Sequence, residues 1–116
     1  MATLFDLTRD SDTTVIALSL AHTLDLDAID DLSSQLFPLI TEAPGQRWIL
    51  EMSAVEYLGS AALGFLVNIR QRIQSTGGRM MLCGLSDPLA QLFRDTALER
   101  LFPVARTRAD AVRLLK

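Results

Sequence analysis

Ile49 to Gly78 reads ILEMSAVEYLGSAALGFLVNIRQRIQSTGG, an apolar strand joined to a long helix through a turn of unusually small residues, Leu58-Gly59-Ser60-Ala61-Ala62. Ala62, Phe65, Leu66, Ile69 and Ile73 fall at i, i+3, i+4, i+7 and i+11, while Asn68, Arg70, Gln71, Arg72 and Gln74 lie mostly elsewhere. That spacing predicts one buried stripe and one wet one on a helix from about Ser60 to about Thr76. Ser60 has the side chain of an N-cap, able to accept from a backbone N–H two or three residues on, and Gly77-Gly78 supplies a left-handed stop. First-turn N–H groups carry partial positive charge, so a phosphate would be well received there. The hydroxyl of Ser60 is either a cap or a phosphorylation target.

Outward from this stretch, Thr3 to Arg9 and Thr13 to Leu20 are rich in β-branched and apolar types, with turn chemistry at Asp10-Ser11-Asp12, which predicts an opening β-hairpin. Asp25 reads as the N-cap of a first helix, with Asp27, Asp30 and Asp31 in its first turns and Leu26, Ile29, Leu32, Leu36 and Ile40 on its inner stripe. Pro38 should kink or end that helix early, and Pro44-Gly45 closes the segment. Arg47 to Met52 is a short apolar strand of the kind covered on both faces in a parallel sheet. Arg79 to Cys83 is the next strand, followed by Gly84-Leu85-Ser86-Asp87-Pro88 and a helix with Pro88 in its first turn and Leu89, Leu92 and Phe93 inside. Leu101 to Ala105 reads as a last strand. Thr107-Arg108-Ala109-Asp110 resembles a capping box before a C-terminal helix that buries Ala111, Val112 and Leu115. The order β-β-α-β-α-β-α-β-α predicts an α/β fold, a mixed sheet mostly parallel after the hairpin with helices packed against it. In such sheets contacts gather at the carboxyl ends of the strands, and the Gly59-Ser60 turn is one of those ends.

The chain has 116 residues, 49% hydrophobic and 22% charged, enough for one globular domain spanning 1–116 with a substantial core. A net charge of −3 with no Lys/Arg run argues against nucleic acid. The longest apolar run, Ala61 to Val67, is far short of a membrane span, and the opening MATLFDLTRD lacks a signal pattern, so no direct membrane insertion and a cytoplasmic location are expected. Cys83 has no second thiol and reads as a small buried hydrophobe. His22, the only histidine, sits in a polar loop where a surface role is the plain reading, and no Ser-His-Asp or Cys-His arrangement is legible around it. The acids from Asp25 to Asp31 read as helix-dipole partners rather than a cation site. Met80 and Met81 should face opposite sides of the sheet as core filling, and Trp48 should pack rather than stack on a ligand. No metal spacing and no nucleotide-cradling glycine motif occurs, so no cofactor, no metal and no catalytic residue are expected.

Several stretches together resemble the STAS domain, the module shared by sulfate transporters and bacterial anti-sigma factor antagonists. They are Leu24-Asp25, Ile49-Leu50-Glu51-Met52-Ser53, Val55-Glu56-Tyr57-Leu58-Gly59-Ser60-Ala61-Ala62-Leu63-Gly64, Gly77-Gly78-Arg79 and Leu82-Cys83-Gly84-Leu85. The resemblance covers almost the whole chain. It implies a non-enzymatic regulatory module for signal transduction and transcription control, which docks an anti-sigma factor or serine kinase-like partner through Tyr57, Leu58, Gly59, Ser60, Ala61 and Ala62 and the following helix. It also leaves open a second role, a STAS-type regulatory subunit of an ABC-type membrane transporter complex. In phosphorylatable members the turn looks like Asp-Ser-Ser-Gly-Leu, with the second serine modified. On that pattern Gly59 takes the aspartate, Ser60 the first serine, Ala61 the modified serine, Ala62 the glycine and Leu63 the leucine. Ala61 has no hydroxyl. Either Ser60 has become the phosphorylation acceptor, or the surface stays permanently in its unmodified, binding-competent state.

Overall fold

The computed structural model describes residues 5–10, 12–18, 26–55 and 58–115. Five strands form one sheet in the order β1-β2-β3-β4-β5, in which β1 (Phe5–Asp10) pairs antiparallel with β2 (Thr13–Leu18). Next, β3 (Arg47–Glu51), β4 (Arg79–Cys83) and β5 (Val104–Ala105) add in parallel. Five helices connect or cover them: α1 (Leu26–Glu42), α2 (Ser60–Ser75), α3 (Asp87–Asp95), α4 (Leu98–Leu101) and α5 (Arg108–Leu115). The expected hairpin and mostly parallel sheet are both present. The Asp25 cap, Leu24, the His22 loop, Glu56, Tyr57 and the outer ends of the hairpin strands at Thr3 and Leu20 lie outside the described residues.

Alternation along the central strands divides the core in two. Ile16, Trp48, Leu50, Met80 and Leu82 face the layer of α1, α2 and α3, whereas Val15, Ile49, Met81 and Cys83 face α5. The paired methionines thus point to opposite sides, as a two-residue side-chain period requires. Against the larger face, α1 contributes Ile29, Leu32, Leu36 and Ile40, and α2 contributes Ala62, Phe65, Leu66, Ile69 and Ile73. The rings of Phe37 and Phe65 stack between these helices with centroids 6.4 Å apart. The guanidinium of Arg72 covers the same Phe37 ring at 4.5 Å.

Two expectations are corrected. Pro38 does not end α1, which runs on to Glu42. An interior proline costs about 3 kcal/mol, but Leu36 and Ile40 flank it and are fully buried. Each such side chain contributes about 1.5–3 kcal/mol, so packing outweighs the missing hydrogen bond. The last strand does not begin at Leu101, which closes the extra short helix α4 before β5 starts at Val104. That helix follows Ala97, which adopts a left-handed conformation at φ 62°. Elsewhere local chemistry is as read. α2 closes with a paired motif in which Gly77 N–H donates to the Gln74 carbonyl and Gly78 N–H to that of Ile73, with Gly77 at φ 77°. The Asp110 N–H donates to Thr107 Oγ1 at 3.1 Å to cap α5.

Candidate functional site at the start of α2

After Glu51 the chain leaves the sheet at its carboxyl edge. The Met52 N–H donates to the Cys83 carbonyl at 2.9 Å, and the Val55 N–H to the Met52 carbonyl at 3.0 Å. Met52, Val55 and Leu58 are buried and pin the connection to the core. Gly59 then occupies the N-cap position with extended backbone, φ −85° and ψ −179°, and its carbonyl accepts from Leu63 N–H at 3.0 Å.

Ser60 is therefore not the cap. It is the first helical residue, exposed, and α2 has neither a side-chain cap nor an acidic residue in its first turn. The reason is one of register: the extended ψ of Gly59 starts the helix one residue after it, and glycine brings no oxygen to accept from the first turn. Among the described residues, no side chain of the first turn answers the positive charge at this end.

The six residues expected to meet a partner fall into three groups. Tyr57 lies outside the described residues. Leu58 is 4% exposed and Ala62 0%, so both are core. Gly59 and Ala61 are half-buried and Ser60 is exposed. Leu58, Ala62, Phe65 and Leu66 continue a single inward stripe, so the surface is narrower than the turn as a whole. Gly64 belongs to it and was not singled out in the sequence. It is exposed and has nothing within 4 Å of where a Cβ would stand. Its spacing of four residues from Ser60 was the available signal.

On the other side of the sheet, Glu51 is held by Arg108, with Nε 2.7 Å from Oε2. This ion pair joins the end of β3 to the start of α5. Hydrogen bonding to Glu51 is the main reason the Arg108 guanidinium pKa is raised. The neighbouring Cys83 thiol is fully buried and pushed up to about 11, first by burial and then by the Glu51 charge, with Arg108 opposing. A thiol in that state is protonated at neutral pH and is a poor nucleophile. Gly84, at φ 72°, passes so close to Ser53 that a Cβ would overlap its Oγ. No helix among the described residues is long and apolar enough to cross a membrane.

Comparison with known proteins agrees with this architecture. BtrV of Bordetella bronchiseptica, named as an anti-sigma factor antagonist, is 25% identical over 71 residues, covering 61% of each chain. YvdB of Bacillus subtilis, named as a sulfate transporter, is 30% identical over 92 residues, covering 79% of this chain and 17% of that protein. The chain thus spans less than two thirds of the length of either relative. A solved structure of an anti-sigma factor antagonist (STAS) domain protein from Planctomyces limnophilus superposes with a TM-score of 0.83 at 20% identity, covering 97% of both chains. The family model for the STAS domain matches residues 6–111. With the sheet order, the two-sided core and nearly the full length in register with it, this chain belongs to the STAS domain family.

Proposed function

We propose that this chain is a protein-binding regulatory module of the anti-sigma factor antagonist type, docking an anti-sigma factor or serine kinase-like protein through the start of α2. The observation that supports it is the small, uncapped surface of Gly59, Ser60, Ala61 and Gly64 on a helix fixed from beneath by Ala62, Phe65, Leu66, Ile69 and Ile73. Side chains this small let a partner approach the backbone closely, and the rigid seat keeps the ordering cost of binding low. Leu58 and Ala62 serve as support, not as contacts. The position where the family carries its modified serine is Ala61, so docking at this surface is not switched by phosphorylation there.

A partner acid would find this helix start, with no acid in its own first turn, attractive, and a carboxylate placed there on this chain would compete for it. Calorimetric titration of this chain with the anti-sigma factor and kinase-like proteins of its own cell tests the proposal. Wild type is expected to bind one of them, with Ser60→Glu and Ala61→Glu each weakening it by about tenfold or more. Equal affinity for wild type and both variants would overturn the assignment of the surface. Intact-mass measurement after incubation with the partner and ATP checks the switch: a single added phosphate on Ser60 would show that the acceptor has moved by one residue.

A second reading rests on the YvdB match, in which a segment of this length is part of a larger protein named as a transporter. In that case the same face would contact a transporter subunit. Co-purification with transporter components rather than with a kinase-like protein would favour it.

A further inference from the structure

The amino-terminal edge of the sheet, opposite the start of α2, carries a polar row. Thr13, Arg47 and Arg79 are the first residues of β2, β3 and β4 and stand in register with one another. Two residues on, Val15, Ile49 and Met81 share the core on the α5 side. Alternation therefore puts all three polar side chains on that same face. Neighbouring strands lie about 4.8 Å apart, so the two arginines leave the sheet side by side, an arrangement of like charges that destabilises a strand pair.

Little among the described residues offsets it. Asp12 Oδ2 is 3.9 Å from Arg47 Nη1, and the Asp12 side chain is 87% exposed, a loose pair of small energetic value. Arg79 Nη1 donates to the Leu115 carbonyl at 3.3 Å, a neutral acceptor. Thr13 is 1% exposed, and its Oγ1 has no hydrogen-bond partner among the described residues. Among the described residues, the row thus holds a buried hydroxyl without a partner beside two guanidinium groups without a firm counter-ion, in a chain whose net charge is −3.

A cavity of about 370 Å³ opens at this edge, lined by Arg9, Asp12, Arg47 and Arg79 and by the turns at Gly45-Gln46 and Gly77. Its floor is fixed by backbone. The Gly45 N–H donates to the Thr76 carbonyl at 2.8 Å and the Arg79 N–H to the Gln46 carbonyl at 3.1 Å. A Cβ at Gly78 would come within 2.7 Å of the Gln46 oxygen, so that close approach needs glycine.

We propose that the Arg47–Arg79 pair, rimmed by Arg9, binds a phosphate-type oxyanion in this cavity, either free phosphate or the terminal group of a phosphorylated small molecule. Guanidinium forks match such oxygens in bidentate fashion. The exposed Asp12 carboxylate is the competitor that an incoming anion displaces from Arg47. Because the row and the start of α2 lie at opposite ends of the parallel strands, both can be occupied at once.

The test titrates the full chain with inorganic phosphate and with pyrophosphate at constant ionic strength, following thermal unfolding and amide NMR shifts. A saturable rise in Tm is expected, with shifts confined to residues 12–14, 45–48 and 77–80. Arg47→Gln should weaken binding by at least about tenfold, the effect of losing one charge-assisted hydrogen bond. Ser60→Glu should leave this titration unchanged. Pyrophosphate binding more tightly than phosphate assigns the site to phosphorylated solutes, and equal affinities assign it to free phosphate. A rise in Tm that does not saturate, that chloride reproduces, or that Arg47→Gln retains would overturn the proposal.

Discussion

Two adjacent alanines at the start of α2 should respond to a glutamate in opposite ways. Ala62 is 0% exposed and belongs to the core with Leu58, Phe65 and Leu66. A carboxylate there would be buried without a partner at a cost of about 3–5 kcal/mol, a large share of the roughly 5–15 kcal/mol by which a domain is stable. Ala61 is half-buried, one helical step of about 100° away, and can send a longer side chain to solvent. Within the first turn its negative charge gains about 0.3–1 kcal/mol from the helix dipole, and α2 has no cap or acid that already takes this gain. Ala61→Glu should therefore stay within about 1 kcal/mol of wild type, or about 4–8 °C in Tm, with a stabilising component that fades in salt. Ala62→Glu should be unfolded or severely destabilised under all conditions. Thermal and urea unfolding of both variants, at low and high salt, reads the difference directly. Should Ala61→Glu lose as much stability as Ala62→Glu, the first turn is not a surface and the docking proposal has no face to act through.

Gly64→Ala should stabilise the fold by about 0.5–1 kcal/mol, because the site is exposed, helical and open to a methyl group; urea unfolding measures it, and a concurrent fall in partner affinity would place Gly64 within the contact. Gly84→Ala should be destabilising by more than the roughly 1–2 kcal/mol of the left-handed backbone alone, since the new Cβ also overlaps Ser53 Oγ; a Tm within error of wild type would contradict the close approach. Cys83 ionises near pH 9.0 when unfolded and near about 11 when folded. The unfolded chain thus binds fewer protons across that window, so this thiol makes stability fall as pH rises from about 9 towards about 11 and contributes nothing below it. The decline should be shallower in Cys83→Ala, and unfolding curves across that pH range check it.

Much of this fold is legible because its signals are local and redundant. The alternation of Trp48, Ile49 and Leu50 and of Met80, Met81 and Leu82 fixes which face of each strand meets which layer. The stripe from Ala62 to Ile73 and the Gly77-Gly78 ending fix α2. Failures occurred where a backbone angle without a sequence signature decided the outcome. Ala97 turns left-handed although it is not glycine, which creates α4 and displaces the start of β5. Ser60 and Gly59 are both plausible caps by composition, and only the ψ of Gly59 assigns the role. At the site itself the resemblance implies contact through all six residues from Tyr57 to Ala62, of which Leu58 and Ala62 are core. Extending the α2 stripe backwards by four residues from Ala62 reaches Leu58, and that period already separates support from surface. The edge row was missed because Thr13, Arg47 and Arg79 are far apart in the chain and meet only through strand register.

The chemistry of the first turn bears on how such a module could be controlled. A phosphoserine places about −1.5 to −2 charges at pH 7, and at a helix start with no acid in its first turn that charge would be held well and would be felt strongly by a partner. Ala61 supplies no oxygen for it, and Gly59 supplies no neighbouring carboxylate. What remains in the first turn is a neutral patch with neither cap nor acid, which on the proposed reading would suit an acidic partner at all times. Control of binding, on this arrangement, must come from the partner, from Ser60, or from a site elsewhere on the chain. An anion at the amino-terminal edge would meet that last requirement only if it biased α2. The route available to it is short, since Thr76 at the end of α2 accepts the Gly45 N–H from the turn that borders the cavity, and the two edges are joined by the length of one helix.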